Sequence, residues 1–216
     1  SNVKIAGHHA GISVGPDGAT HQATEDIALM RAIPNMKIIV PCDAIEAKKA
    51  TMASTKIWGP FYLRFQREKS PVFTTEETPF TPGKAEIFWE SKKPQVLIAA
   101  CGALVHQALL AALELEKNKI GSIVLNVHTI KPLDEEKIAL LAKKTGAVVT
   151  VEEHQIIGGL GGAIAEALAR RAPTPMEFIG LHGIFGESGK PSELIKKYGL
   201  DVKDIIAASK KAIRKK

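Results

Sequence analysis

Gly7-His8-His9-Ala10-Gly11-Ile12-Ser13-Val14-Gly15-Pro16-Asp17-Gly18-Ala19-Thr20-His21-Gln22 is the stretch on which the reading of this chain turns. Its sixteen residues hold five glycines or prolines, three histidines, one aspartate and two hydroxyls. Glycine opens backbone regions closed to other residues and proline fixes another, so a shaped loop is expected here, neither helix nor strand. Apolar Val3, Ile5 and Ala6 lead into it, and the helical pattern Ile27, Leu29, Met30, Ile33 leads out. Strand, long polar glycine-rich loop and helix is the order in which α/β folds present chemistry at the carboxyl ends of their strands. Loops beyond about a dozen residues are uncommon unless functional or disordered. Disordered segments tend to be repetitive and strongly charged; this one is neither, and it reads as an active-site loop.

Outward from the loop, strands alternate with helices, which argues a parallel sheet. Strands are expected at Lys37 to Pro41 and Phe61 to Leu63, with a helix over Ala44 to Ala53 that Asp43 can cap. Residues 68–83 are polar and punctuated by proline, a linker, and the domain boundary is placed near residue 82. That gives residues 1–82 and 83–216 as two units. In the second, strands are expected at Ala85 to Trp89, Val96 to Ala100, Ile123 to Val127, Val148 to Val151 and Phe178-Ile179. Between them fall helices at Leu104 to Leu115, from Asp134-Glu135-Glu136 to Gly146, and around Ile164 to Leu168. Ser192 to Tyr198 and Asp201 to Ile213 close the chain, with Gly199 as a helix stop.

Composition narrows the function classes. A 45% hydrophobic content over 216 residues allows one large or two modest domains. No run of about eighteen apolar residues could span a bilayer, and no basic-then-apolar leader opens the chain. Net charge is +6, but the basic residues are scattered except for Lys210, Lys211, Arg214, Lys215 and Lys216 at a helix end, where cations meet the dipole favourably. With aromatics at 5%, nucleic-acid binding has few stacking platforms and is not expected; phosphorylated substrates account for the charge more simply. Cys42 and Cys101 read as a buried reduced pair, as in a cytoplasmic protein.

Two rival readings bear on the motifs. Histidine is a common metal ligand, but His8 and His9 are adjacent and point apart in an extended chain, and no HxxxH or HExxH spacing exists. Gly158-Gly159-Leu160-Gly161-Gly162 follows a strand, with Glu152 and Glu153 before it, and suggests a dinucleotide phosphate loop. The GxGxxG spacing fails because Ile164 stands where the last glycine belongs. A close helix-to-strand packing turn is the better reading.

The opening loop, with a histidine, an acid eight residues on and Thr20-His21-Gln22, resembles that of the pyrimidine-binding domain of transketolases. The resemblance continues through Leu29-Met30-Arg31-Ala32-Ile33-Pro34-Asn35, Val40-Pro41-Cys42-Asp43-Ala44 and Leu63-Arg64-Phe65-Gln66-Arg67. It runs on through Thr150-Val151-Glu152-Glu153-His154, Gly158-Gly159-Leu160-Gly161 and Gly189-Lys190-Pro191-Ser192-Glu193-Leu194 into the family's C-terminal domain. The fold implied is α/β: part of a pyrimidine-binding domain with a parallel sheet, then a three-layer α/β/α C-terminal domain.

The resemblance implies a transferase of the pentose phosphate pathway that moves a two-carbon ketol unit from a ketose to an aldose, both sugar phosphates. Its cofactors are thiamine diphosphate and Mg or Ca. His9, rather than His8, matches the histidine that handles a substrate hydroxyl and its proton. Asp17 matches an acid that hydrogen-bonds a sugar hydroxyl, and His21 a residue near the cofactor's reactive carbon. An imidazole titrating near neutrality suits such proton transfer. Arg67 matches the arginine that grips the substrate phosphate, for which a planar guanidinium is well shaped. Arg64, three residues earlier and so on the opposite face of an extended strand, is the second choice.

The family's activating glutamate, its ring-sandwiching aromatics and its diphosphate- and metal-binding domain precede the point where the resemblance begins. The chain is therefore expected to be inactive alone, to bind no cofactor or metal by itself, and to work with an N-terminal part or subunit as a homodimer or heterotetramer. Two alternatives stay open. One is another thiamine enzyme, the beta-type subunit of a 2-oxoacid dehydrogenase first component or deoxyxylulose-phosphate synthase. The other is a non-catalytic assembly module.

Overall fold

The computed structural model describes residues 1–216. Strands β1 (Lys4–Gly7), β3 (Phe61–Arg64), β2 (Lys37–Ile39) and β7 (Thr129–Lys131) lie side by side in that order as one sheet. The first three run parallel, with Tyr62 in register with both Ile5 and Ile38. β7 runs antiparallel to β2 and comes from the far side of the linker. No strand was expected at Thr129-Ile130-Lys131. Three residues before a proline carry no readable period, and only the neighbouring β2 makes them a strand.

The second sheet has the order β4 (Glu86–Glu90), β6 (Gly121–Asn126), β5 (Pro94–Ala100), β8 (Val148–Gln155) and β9 (Met176–Leu181). All but β4 are parallel. Strands buried on both faces should be apolar without interruption, and β5 shows why. Val96, Ile98 and Ala100 enter one core cluster while Leu97 and Ala99 enter the other. Helices α3 (Leu104–Lys117) and α7 (Val202–Ile213) cover the first of these faces, α4 (Glu135–Thr145) and α5 (Leu160–Arg171) the second. The result is a three-layer α/β/α arrangement. Each fully buried leucine or isoleucine in these layers is worth roughly 1.5–3 kcal/mol.

Helix ends follow the local signals. Gly146 stops α4 in the left-handed conformation (φ 71°), and Gly199 (φ 70°) follows α6 (Pro191–Lys197) and its cap, Tyr198. Asp201 and Asp204 cap α7 reciprocally. Cys42 and Cys101 are both free and buried, and burial raises both thiol pKa values. No helix is long and apolar enough to cross a membrane.

Asp43 does more than cap α2 (Ala44–Lys56). Oδ1 accepts from the Glu46 N–H (2.9 Å) and the Thr74 hydroxyl (2.8 Å). Oδ2 accepts from the N–H groups of Phe73 (3.0 Å) and Thr74 (2.7 Å). One buried carboxylate thus ties the helix to the linker. Asp43→Ala should cost about 2–4 kcal/mol, a lost cap plus linker donors left unpaired. Urea unfolding checks this, and a loss under about 0.5 kcal/mol, as at an ordinary surface position, would show that the linker is held by something else.

The glycine cluster 158–162 is a packing turn. A Cβ on Gly159 would lie 2.0 Å from Glu152 Oε2, and one on Gly161 would lie 2.6 Å from the Phe178 ring. Glu152 accepts from the N–H groups of Leu160 (2.6 Å) and Gly161 (2.7 Å). The start of α5 is thus already occupied by a carboxylate, which leaves it no role as a phosphate cradle. Burial pushes the Glu152 pKa up to about 7.

Candidate active site

The opening loop leaves the carboxyl end of β1 beside the carboxyl end of β3, as the strand–loop–helix order required. Its base is closed by backbone pairing. Ala10 N–H donates to Phe65 O (3.1 Å), Gly11 N–H to Ala23 O (2.8 Å) and Ala23 N–H to His9 O (3.2 Å). Its far part is not structureless. Ile12–Asp17 forms a 3-10 turn, kinked at Gly15 (φ 79°, ψ −113°). Glycine and proline content argued against an α-helix; a short tight turn tolerates both, and the apolar Ile12 and Val14 bury themselves beneath it.

The turn delivers Asp17 to the end of β3. Asp17 Oδ2 and Arg67 Nη1 are 2.7 Å apart, with side chains 33% and 40% exposed. Arg67 also reaches Val14 O at 3.4 Å. The Arg67 guanidinium holds the Asp17 carboxyl below the usual carboxylate range, with smaller contributions from His21 and His9 nearby. The structure brings Asp17 and Arg67 into contact, and His9 and His21 are exposed on the same loop. His9 sits at φ 60°, a left-handed conformation that non-glycine residues rarely adopt and that concentrates at functional sites. His21 Nδ1 lies 2.9 Å from Thr20 Oγ1. His8 instead lies against the Phe65 ring, centroids 5.3 Å apart.

Arg64 is withdrawn from the phosphate role. It is 4% exposed, and its Nε and Nη2 are engaged inside the fold. Nε and Nη2 grip both oxygens of Asp26 (2.8 and 3.0 Å), and Nη2 also donates to Ala23 O and Glu153 O. The Tyr62 hydroxyl donates to Asp26 as well (2.7 Å). The strand ends at Arg64 and Arg67 lies in a bend beyond it, so the expected opposite faces of one extended strand do not apply, and burial is what separates the two arginines.

Several residues that hold the site were not singled out. Gln22 donates to Ile12 O (3.1 Å) and Glu187 O (3.0 Å). Gly18 lies against Ser188 and Gly15 against Pro191, so close that a Cβ would meet them at 2.5 and 2.9 Å. Glu153, on β8, accepts from the Ser13 N–H. A pair of acids ending an apolar strand was the available signal, since carboxylates there are either exposed or satisfied by something specific.

Beside Arg67 an open cavity of about 410 Å³ runs between the ends of β2 and β3 and the start of α2, with Phe65, Gln66 and Lys69 in its wall. No three His, Cys, Asp or Glu side chains converge as a metal ligand set. A metal-bound diphosphate does not fit these residues. The exposed carboxylate and guanidinium of Asp17 and Arg67, on the surface next to this cavity and not in its wall, are of a chemistry that suits hydroxyls and tetrahedral oxyanions.

Comparison with known proteins places the chain in a family. Residues 1–72 match the pyrimidine-binding domain of transketolase and residues 83–205 its C-terminal domain. The 6-deoxy-6-sulfo-D-fructose transketolase subunit of Clostridium sp. (strain MSTE9) is 41% identical over 100% of this chain and 66% of its own. A transketolase C-terminal section of Methanocaldococcus jannaschii is 44% identical over 94% of this chain and 64% of its own. A solved split-gene transketolase, described as an inactive β4 tetramer, superimposes with a TM-score of 0.91 at 42% identity, covering 98% of this chain and 67% of that one. The chain thus spans about two-thirds of the length of these relatives. Two matched units in this order, over nearly every residue, show that the chain belongs to the transketolase family, in its C-terminal part.

Proposed function

We propose that the chain is the substrate-facing part of a two-part transketolase, transferring a two-carbon ketol unit between sugars that end in an oxyanion. The observation that carries this reading is the Asp17–Arg67 pair flanked by His9 and His21 on one loop. Residues 1–82 carry the loop, and residues 83–216 hold it in place. Thiamine diphosphate, the family's cofactor, supplies the electron sink for carbon–carbon cleavage; the holder of its diphosphate and metal lies in the complementary part.

This chain's residues bind and orient the sugar. An incoming phosphate displaces the Asp17 carboxylate from Arg67, an exchange of one exposed anion for another that costs little because such pairs are weak. The guanidinium then takes two phosphate oxygens at once. Asp17, freed and still ionised, accepts a sugar hydroxyl, while His9 and His21 are placed to give and take protons at the oxygens near the reacting carbons. The sulfosugar in the Clostridium relative's name ends in a sulfonate, and Arg67 has the geometry to grip that group too. The relative described as an inactive β4 tetramer supports the expectation that this part self-associates and is inactive alone.

Combining the chain with a complementary N-terminal transketolase section and measuring ketol transfer from a ketose phosphate tests the reading. Transfer should appear only in the combination. Calorimetry on the chain alone should show no tight, metal-dependent thiamine diphosphate binding. Decarboxylation of a 2-oxoacid instead of ketol transfer would move the chain to the dehydrogenase-type alternative, and no activity of either kind would leave an assembly module.

Within the complete enzyme, Asp17→Ala should shrink the preference between a sugar and its epimer. A site built to pair one hydroxyl discriminates against the sugar that presents it inverted, because the Asp17 carboxylate then loses that partner. His9→Ala should lower kcat/KM alike for every donor. Retention of the full epimer preference in Asp17→Ala would remove Asp17 from the role of stereochemical reader.

A further inference from the structure

The loop that carries His9, Asp17 and His21 belongs to the first sheet, but one anchor of its central turn does not. Glu153 stands near the carboxyl end of β8, in the second sheet, and is buried. Its Oε1 accepts from the Ser13 N–H at the start of the turn. The contact is close enough to specify the neighbouring residue. A Cβ on Gly11, whose φ is 80°, would fall 2.5 Å from the Glu153 carboxyl carbon. Arg64, paired with Asp26, donates to the Glu153 backbone carbonyl at 3.0 Å and so fixes that stretch of β8 against β3.

We infer that Glu153 is a positioning residue for the substrate loop: its carboxylate fixes the start of the Ile12–Asp17 turn and so sets where Asp17 meets Arg67. The six-residue turn is then held at both ends, by an acid from the second sheet at its beginning and by an arginine from the first at its end. The two holds differ in kind. The Asp17–Arg67 pair is partly exposed and can exchange with a substrate anion. The Glu153 contact is buried and meets no solvent anion that could replace it, so the turn keeps its place while the pair opens. Glutamine at 153 would keep the shape but replace a charged acceptor with a neutral amide, weakening the bond from the Ser13 N–H.

The loop geometry can be tested on the chain itself, and its consequence for catalysis rests on the function proposed above. In E153Q, amide exchange over residues 11–17 should accelerate about ten- to a hundred-fold, the loss of hydrogen bonds to a charged acceptor, while β5 and β6 stay as protected as before. By NMR the Asp17 carboxyl, held low by Arg67, should move up toward the ordinary carboxylate range. Exchange over 11–17 within about twofold of the parent, or faster exchange throughout with the Asp17 titration unmoved, would overturn the inference. Should E153Q not fold, Glu153→Asp, which keeps the charge but draws the carboxylate back from the Ser13 N–H, should shift the same two readouts in the same direction, and no shift in either would overturn the inference too. In the combined enzyme E153Q should also narrow epimer preference. If the combined parent enzyme transfers no ketol unit, the proposed function fails, while the exchange and titration results still decide the role of Glu153.

Discussion

Arg64→Ala should destabilise the chain by about 3–5 kcal/mol, the cost of leaving a buried ion without its partner. The guanidinium makes two bonds to Asp26 and one each to the carbonyls of Ala23 and Glu153. With it gone, Asp26 keeps the Tyr62 hydroxyl, and the buried His154 ring lies 3.9 Å away. The sign of the pH dependence follows. Arg64 helps hold the Asp26 pKa below its usual 3.8 against the opposing effect of burial. The native contribution of Asp26 is therefore complete above about pH 4 and is lost as pH falls through the depressed value. In Arg64→Ala burial is opposed only by Tyr62 and His154, the Asp26 pKa rises, and the mutant regains part of its deficit on acidification because the stranded carboxylate can take a proton. Urea unfolding of both proteins at pH 7 and pH 5 should show the gap narrowing at pH 5. Arg64→Lys, which keeps the charge but not the fork, should fall between them. A deficit below about 1 kcal/mol at pH 7 would mean that the pair is dispensable.

The other large effect is expected on substrate. In the combined enzyme, Arg67→Ala should raise KM for a ketose phosphate about ten- to a hundred-fold, the loss of a charge-assisted bidentate contact. An unphosphorylated ketose should be nearly indifferent, since it presents nothing for a guanidinium to hold. Arg67→Lys should recover only part of the difference, since an ammonium is a point charge and not a planar fork. The variant should fold normally: Arg67 is exposed, and its contacts in the chain are Asp17 and a long one to Val14 O. Equal losses on both sugars would take Arg67 out of the phosphate site.

How far these residues were legible from sequence depends on the range of the forces that place them. Asp43 as a cap and Gly146 and Gly199 as helix stops are decided within a few residues, and the helices end where those signals stand. The uninterrupted apolar strands of the second sheet were legible for the same reason. The gathering of Asp17 and Arg67 was expected only by resemblance, since fifty residues separate them in the chain and no local pattern joins them. The burial of Arg64, the clamp by Glu153 and the strand at Thr129–Lys131 are set by contacts across the two sheets, and no window of sequence contains both partners. The glycine cluster at 158–162 was legible as well: its spacing fails the nucleotide motif, and the neighbouring Glu152 accepts from the N–H groups that open the helix, as a packing turn allows.

The antiparallel pairing of β7 with β2 reaches beyond the topology diagram. Proline-rich residues 68–83 invite an experimenter to sever the gene there and express the halves separately. A first half so produced would surrender β7, and Ile38 and Ile39 would become the outer edge of a three-stranded sheet, with backbone donors and acceptors bare. Such a flat apolar border recruits other chains, so the severed half is expected to accumulate in inclusion bodies. A half-gene that also encodes residues 129–131, for instance as a circular permutant, should stay in solution.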